Sequence, residues 1–351
     1  MELLRCRRLA LPNVRVSAEA SGTGLPNLSG RKKKMVKIAI AGGTGNVAQE
    51  ILDVLITTKK HKIVLLSRKD VAADENTLGV TWVKTNYEDI EGLVQALQGV
   101  HTLLCFITPQ SDPGNSAQKN LIDAAVKAGV KRYAPSEWAT SGFDYMPWYA
   151  GKGEIREYLQ ELNKNGKVLE YCLFQPGMFV NYYTAPHKTS KHVHPFQNQF
   201  DFNNRRAIVL EGGESSRISL ITVRDFCNVV AKAVEYEGVW PIVGGIRGDE
   251  LTVEQLLAVG EKVRGGPFAI EKVKAEDLKA GLVKTAWLPK PDHPAIPAEQ
   301  VSALAAGFVA GVLLGMSSGA FSVSDEWNRL LPDYTMTRAE EFLADTWRDK
   351  P

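Results

Sequence analysis

The stretch Ile40-Ala41-Gly42-Gly43-Thr44-Gly45-Asn46-Val47-Ala48 limits the fold of this chain more than any other. It follows a short β-branched run, residues 36–41, that reads as a buried parallel strand. It precedes residues 46–58, where Val47, Ile51, Val54 and Leu55 fall on one helical face. In a G-x-x-G-x-x-G/A loop so placed, glycines permit a tight turn and let the backbone approach a pyrophosphate. The helix start, here Asn46 and Val47, adds unpaired N–H groups and the positive end of a dipole. Ala48 fills the last glycine position, which only packs helix on strand. A glycine triplet alone is weak evidence; between strand and helix it points to a dinucleotide.

The alternation continues. Residues 62–66, 80–84, 102–107, 130–134 and 168–174 read as apolar strands, with helices over 90–97, 115–128 and 154–162. That order predicts an α/β fold, a Rossmann-type doubly wound parallel sheet. After Pro176 the rhythm fails. Residues 181–206 are rich in His, Asn, Gln and aromatics and suit a loop covering a site. Residues 207–210 and 218–221 read as a further pair of strands, and Thr222-Val-Arg-Asp225 reads as a capping box for a helix through 234. Residues 241–243 read as a return to the main sheet. From 251 onward the chain is helical and broken by prolines. The expected organisation is a tail over 1–34, a dinucleotide domain over 35–250 and a smaller, mostly helical substrate cap over 251–351.

Charge excludes some partners. With 42 basic and 40 acidic residues the net charge is +2, so no overall field recruits nucleic acid or a membrane surface. The basic excess sits in residues 1–34, which carry no regular period; a disordered tail, an upstream start before Met35 and a transit peptide are the readings open for it. Cys6, Cys105, Cys172 and Cys227 lie far apart and form no metal or disulfide pattern, which suits a reduced, cytoplasmic setting. Residues 301–321 are uncharged and about long enough to span a bilayer, yet their four glycines and three serines read better as a helix buried on all sides. His187, His192 and His194 have no neighbouring acid or cysteine, so no metal is expected.

The second strand decides between dinucleotides. An NAD site usually places an acid at its end, whereas NADP needs cations for the 2′-phosphate. Here stand Ser67-Arg68-Lys69, and Arg68 and Lys69 therefore favour NADPH. Thr108 and Gln110 leave the fourth strand and Pro176 and Gly177 the sixth, both at the carboxyl edge where a dinucleotide lies. Trp138, Met178, Phe179 and Tyr182 are candidates for an apolar substrate wall or, equally, for plain core. An ordinary short-chain dehydrogenase carries Tyr-x-x-x-Lys on the next helix. Tyr149-Ala-Gly-Lys152 is one residue too short, and Trp148 occupies the tyrosine position, so Lys152 is left as the catalytic candidate.

The Gly-Gly-Thr-Gly loop, Pro135-Ser136-Glu137-Trp138 and Lys152-x-x-Ile155-Arg156 together resemble the NmrA-like and isoflavone reductase-like branch of atypical short-chain dehydrogenases. Ser324-Asp-Glu-Trp327-Asn328 through Pro332 is similar to its fungal members, and the likeness runs from Met35 to the C-terminus. The resemblance implies an NADPH-dependent reductase of a small aromatic or unsaturated carbonyl or phenolic compound, in secondary metabolism, working as monomer or homodimer. Lys152 then acts on the substrate oxygen as acid and base, with its pKa lowered by an apolar site, or binds the nicotinamide ribose. The same branch implies a second reading, a non-catalytic NAD(P) sensor that contacts a protein partner. Two departures bear on the substrate: Glu157 follows Arg156 where many reductases carry a second arginine, and Trp138 stands for the usual phenylalanine.

Overall fold

β1 (Lys37–Ala41) is paired on both sides, which is why its run of Ile, Ala and Ile needs no polar face. The computed structural model describes residues 35–69, 79–290 and 298–350, the side chains of 298–303 excepted. The expected tail and Cys6 lie outside the described residues. After β1 come α1 (Asn46–Thr58), β2 (Lys62–Ser67), β3 (Val80–Lys84), α2 (Ile90–Ala96) and β4 (Thr102–Cys105). α3 (Ser116–Lys127), β5 (Arg132–Ala134), α4 (Ala150–Asn163) and β6 (Glu170–Tyr171) complete the first half. The six strands form one parallel sheet in the order β3-β2-β1-β4-β5-β6. The crossover order reverses beside β1, the place where an open α/β sheet leaves a crevice at its carboxyl edge.

The two faces of the sheet follow the strand period. Ile38 and Ile40 point to one side and pack with Ile51 and Leu55 of α1, Phe174, Phe226 and Trp327. Ala39 and Ala41 point to the other and meet Leu121, Ala125, Tyr133, Ile155 and Leu159. Each face is covered, as a doubly wound sheet requires.

The strand expected over 168–174 exchanges neighbours midway. Cys172 N–H donates to the Tyr133 carbonyl at 3.0 Å, and Leu173 N–H donates to that of Ile242 at 2.8 Å. The chain continues as β7 (Leu173–Gln175), β8 (Met178–Phe179), β9 (Phe200–Asp201), β10 (Arg206–Leu210), β11 (Arg217–Ile221), α5 (Val223–Glu235) and β12 (Val243–Gly245). β12 pairs parallel with β7 as a separate two-stranded sheet, so the return expected at 241–243 is to β7 and not to the six-stranded sheet.

β13 (Asp249–Thr252), α6 (Val253–Arg264), β14 (Ala269–Val273), α7 (Ala275–Lys279), α8 (Ala298–Ser317), α9 (Glu326–Leu330) and α10 (Ala339–Trp347) follow. β10 and β11 are strands as expected but do not pair with each other: β10 lies between β9 and β14, and β11 between β8 and β13. Thr222 caps α5 by accepting the Asp225 N–H, and its hydroxyl donates to the Asp225 carboxylate, which also accepts from Tyr334 and Thr337. The reciprocal capping box is found at Thr252 and Gln255 instead.

α8 packs Val309 and Leu313 against Ile208, Leu210 and Val273 on one side. Its Val312 and Met316 face Met146, Phe321 and Leu343 on another. Among the described residues no helix is long and apolar enough to cross a membrane. Met35–Pro351 is one compact unit, and β13, which crosses the expected boundary at residue 250, is hydrogen-bonded to β11.

Candidate active site

Because the strands are parallel, the loops after β1, β2, β4 and β5 emerge on the same edge. The turn after β1 closes with Gly45 N–H on the Gly42 carbonyl at 3.2 Å. Gly42 has φ +71°, and a Cβ there would stand 2.8 Å from the Phe106 carbonyl carbon, so no larger residue fits. A Cβ on Gly43 would meet the Leu65 side chain at 2.8 Å. The glycines thus lay the turn directly on β2 and on the end of β4. α1 opens at Gly45 with no side-chain cap and no acid in its first turn, and Thr44 and Gly45 are exposed. Its N–H groups and dipole are free for an anion, which fits a pyrophosphate.

Arg68 and Lys69 are exposed at the end of β2 on this edge. Ser67 fixes their turn, its Oγ accepting the Lys69 N–H at 3.0 Å. Tyr87 lies behind the loop, donating to the Leu66 carbonyl at 3.1 Å, and burial pushes its phenol up. Nothing in the spacing of the sequence signalled Tyr87, because it comes from the turn after β3. Thr108 opens a 3₁₀ turn at Pro109–Ser111, and Gln110 Nε2 donates to the Trp148 carbonyl at 3.0 Å. Gln110 is therefore joined to the segment that leads into α4. Pro176 is buried, and Gly177, with φ +71°, would bring a Cβ within 2.5 Å of the Ser219 carbonyl oxygen.

Lys152 occupies the first turn of α4 and is 8% exposed. Its Nζ donates to the carbonyls of Ser136 at 2.5 Å and Glu137 at 2.9 Å, both in the loop after β5. Burial lowers its pKa to about 8, against the pull of the Glu137 carboxylate toward the charged form. The Glu137 carboxylate is itself taken by Arg156, one turn further along α4, and Gln175 Nε2 approaches it at 3.5 Å. The Ser-Glu-Trp and Lys-x-x-x-Arg segments singled out in the sequence are thus one assembly: Arg156 and Glu137 hold the loop whose carbonyls hold Lys152.

Trp138 has φ +33°, a backbone region uncommon for side-chain-bearing residues. Its indole stacks on Phe106 at 4.5 Å and Phe174 at 5.3 Å and donates to the Cys105 carbonyl at 2.6 Å. Phe179 is buried against Phe226 and Tyr182. Met178 and Tyr182 remain half-buried, and Tyr182 stacks on Phe196 at 4.5 Å. Phe308 of α8 meets Trp148 at 5.3 Å and Phe196 at 6.2 Å, closing the aromatic wall from the helical part of the chain.

The expected loop after 181 is moored to α1. Glu50 Oε1 accepts the N–H groups of His192 and Val193, and Asp53 Oδ2 accepts from Lys191 Nζ and His192 Nε2. His187 packs on Trp347 instead. Among the described residues no three His, Cys, Asp or Glu side chains group as a metal site. Cys105, Cys172 and Cys227 are buried thiols raised by burial, inert small hydrophobes in the core.

A parallel sheet, a glycine turn and a buried lysine meet at one edge, the layout of a dinucleotide-dependent oxidoreductase. The family model described as NmrA-like family matches residues 34–310, and the chain belongs to that family. The oxidoreductase BOA1 of Botryotinia fuckeliana is 25% identical over 316 residues, covering 88% of this chain and 100% of its own. Among solved structures, an isoflavone reductase superposes with a TM-score of 0.64 at 19% identity, over 89% of this chain and 99% of that one. The NADPH-dependent quinone oxidoreductase of Escherichia coli, complexed with NADPH, gives 0.63 at 21% identity, over 89% and 100%. The sequence expectation of NADPH agrees with that relative.

Proposed function

We propose that this oxidoreductase uses NADPH to reduce a small aromatic or unsaturated carbonyl compound, as its isoflavone reductase-like relatives suggest. The observation that carries the reading is the placement of Lys152 in a dry first turn of α4, held by the loop after β5. NADPH supplies a hydride from its C4 position. The amides of Thr44, Gly45, Asn46 and Val47 receive the pyrophosphate, Arg68 and Lys69 the 2′-phosphate, and Thr108, Gln110, Pro176 and Gly177 flank the nicotinamide half. Lys152 sets the charge at the reacting end, where its lowered pKa lets the ammonium and amine interconvert near neutral pH. Met178 and Tyr182, with Trp138 and Phe179 packed behind them, form the substrate wall under the helical cap.

NADPH oxidation is measured with enones and quinones as acceptors, for wild type and Lys152→Ala. Loss of turnover in the variant with NADPH binding kept supports the reading. Bound cofactor with no turnover of any acceptor by the wild type defeats it in favour of a sensor. Arg68→Ala tests the choice of dinucleotide: losing a charged hydrogen bond to phosphate weakens NADPH about tenfold or more and leaves NADH nearly unchanged. Equal weakening of the two rejects the phosphate role.

A further inference from the structure

We propose that Tyr149 is the proton donor of the reduction, a role that rests on the reductase reading above. By spacing, Tyr149 is one residue too close to Lys152 to match Tyr-x-x-x-Lys. The structure removes the objection. Tyr149 ends the 3₁₀ turn Pro147–Tyr149 and is the N-cap of α4, so it precedes Lys152 by three residues along the helix. Side chains three apart share a face as well as those four apart do. Lys152 Nζ lies 5.2 Å from the Tyr149 ring centroid.

The phenol is arranged to give a proton. Its ring packs against those of Phe143 at 5.7 Å and Trp148 at 6.0 Å, with Lys152 over its face. The turn is fixed by Tyr149 N–H on the Met146 carbonyl at 2.9 Å and by Gln110 on the Trp148 carbonyl. Tyr149 is half-buried, so a substrate reaches it. The ionisable groups around it are Lys152 and Glu137 on the sheet side and Tyr182 on the loop side. Burial raises the phenol, which therefore keeps its proton throughout neutral pH. Lys152, by contrast, holds its three protons against two carbonyls and loses one near pH 8.

For an enone the balance is as follows. A C–H bond forms at the β-carbon as hydride leaves C4 of the dihydronicotinamide, and the π electrons move to the carbonyl oxygen. That oxygen takes the proton as the Tyr149 O–H bond breaks. The products are the enol, which tautomerises, and NADP⁺; water returns a proton to the phenolate. The Lys152 ammonium, 5.2 Å from the ring centroid, steadies the phenolate meanwhile.

The test uses the full chain with NADPH and either cinnamaldehyde or menadione. Tyr149→Phe is expected to lower kcat about 100-fold, the low end for a lost general acid, with NADPH affinity by fluorescence titration within about twofold. An unchanged kcat in Tyr149→Phe overturns the proposal, as does loss of NADPH binding in parallel with kcat, which marks a packing role. No NADPH oxidation by the wild type defeats the reductase reading, and this one with it.

Discussion

Lys152 is held by main-chain oxygens and not by a carboxylate, and that sets its behaviour. Carbonyls satisfy the N–H groups without supplying a counter-charge, so desolvation dominates and the ammonium is disfavoured. The sign for stability follows. Between about pH 8 and 10.5 the unfolded chain binds more protons at this lysine than the folded one, so this group alone makes the protein more stable as pH rises through that window. Lys152→Met is expected to raise stability at pH 7 by roughly 3 kcal/mol or less and to flatten that rise, as read by urea unfolding at several pH values. Glu137→Ala runs the other way: it leaves Arg156 facing a site with no counter-charge and is expected to cost about 3–5 kcal/mol in the same assay. Arg68, Lys69 and Lys152 were legible in the sequence because each belongs to a local motif. Tyr87 and the carbonyls of Ser136 and Glu137 were not, since a main-chain oxygen leaves no trace in residue identity. Tyr149 stands outside the Tyr-x-x-x-Lys spacing, and its approach to Lys152 comes only from the shared start of α4.

At the level of elements, the βα alternation could be read closely; residues 46–58 and 80–84 match α1 and β3 end to end. Their apolar period is local, so the sequence carries it. Pairing is not local. The change of partner at Cys172 rests on Ile242, seventy residues away, and no pattern inside 168–174 announces it. The same holds for β8 and β9, two residues each, which have no period to detect. β10 and β11 look like a hairpin around Gly212-Gly213, yet they sit in different sheets, β10 between β14 and β9 and β11 between β13 and β8. The tightest element junction is the turn from β1 to α1. Gly42→Ala forces a side chain into positive φ and onto the end of β4, and is expected to cost at least about 1–2 kcal/mol. Thermal unfolding and NADPH titration check it, with both Tm and affinity falling; an unaltered affinity would place the cofactor elsewhere.

The whole molecule depends on its C-terminal residues more than their expected role as a cap suggests. Trp327 of α9 is fully buried and stacks on Phe174 of β7 at 5.5 Å, so the last part of the chain completes the core of the first. Trp327→Ala is expected to cost about 3–5 kcal/mol and to shift a single urea transition, where an independent cap would unfold in a step of its own. The moored segment at 191–193 has a consequence of its own. Two carboxylates of α1 grip it, and α1 begins at the phosphate turn, so roof and floor of the crevice ride on one shaft. Lifting the roof there breaks four hydrogen bonds at once. On the opposite bank Trp148 meets α8 through the Phe308 ring at 5.3 Å and the bare backbone of Gly311, so that side is expected to part first.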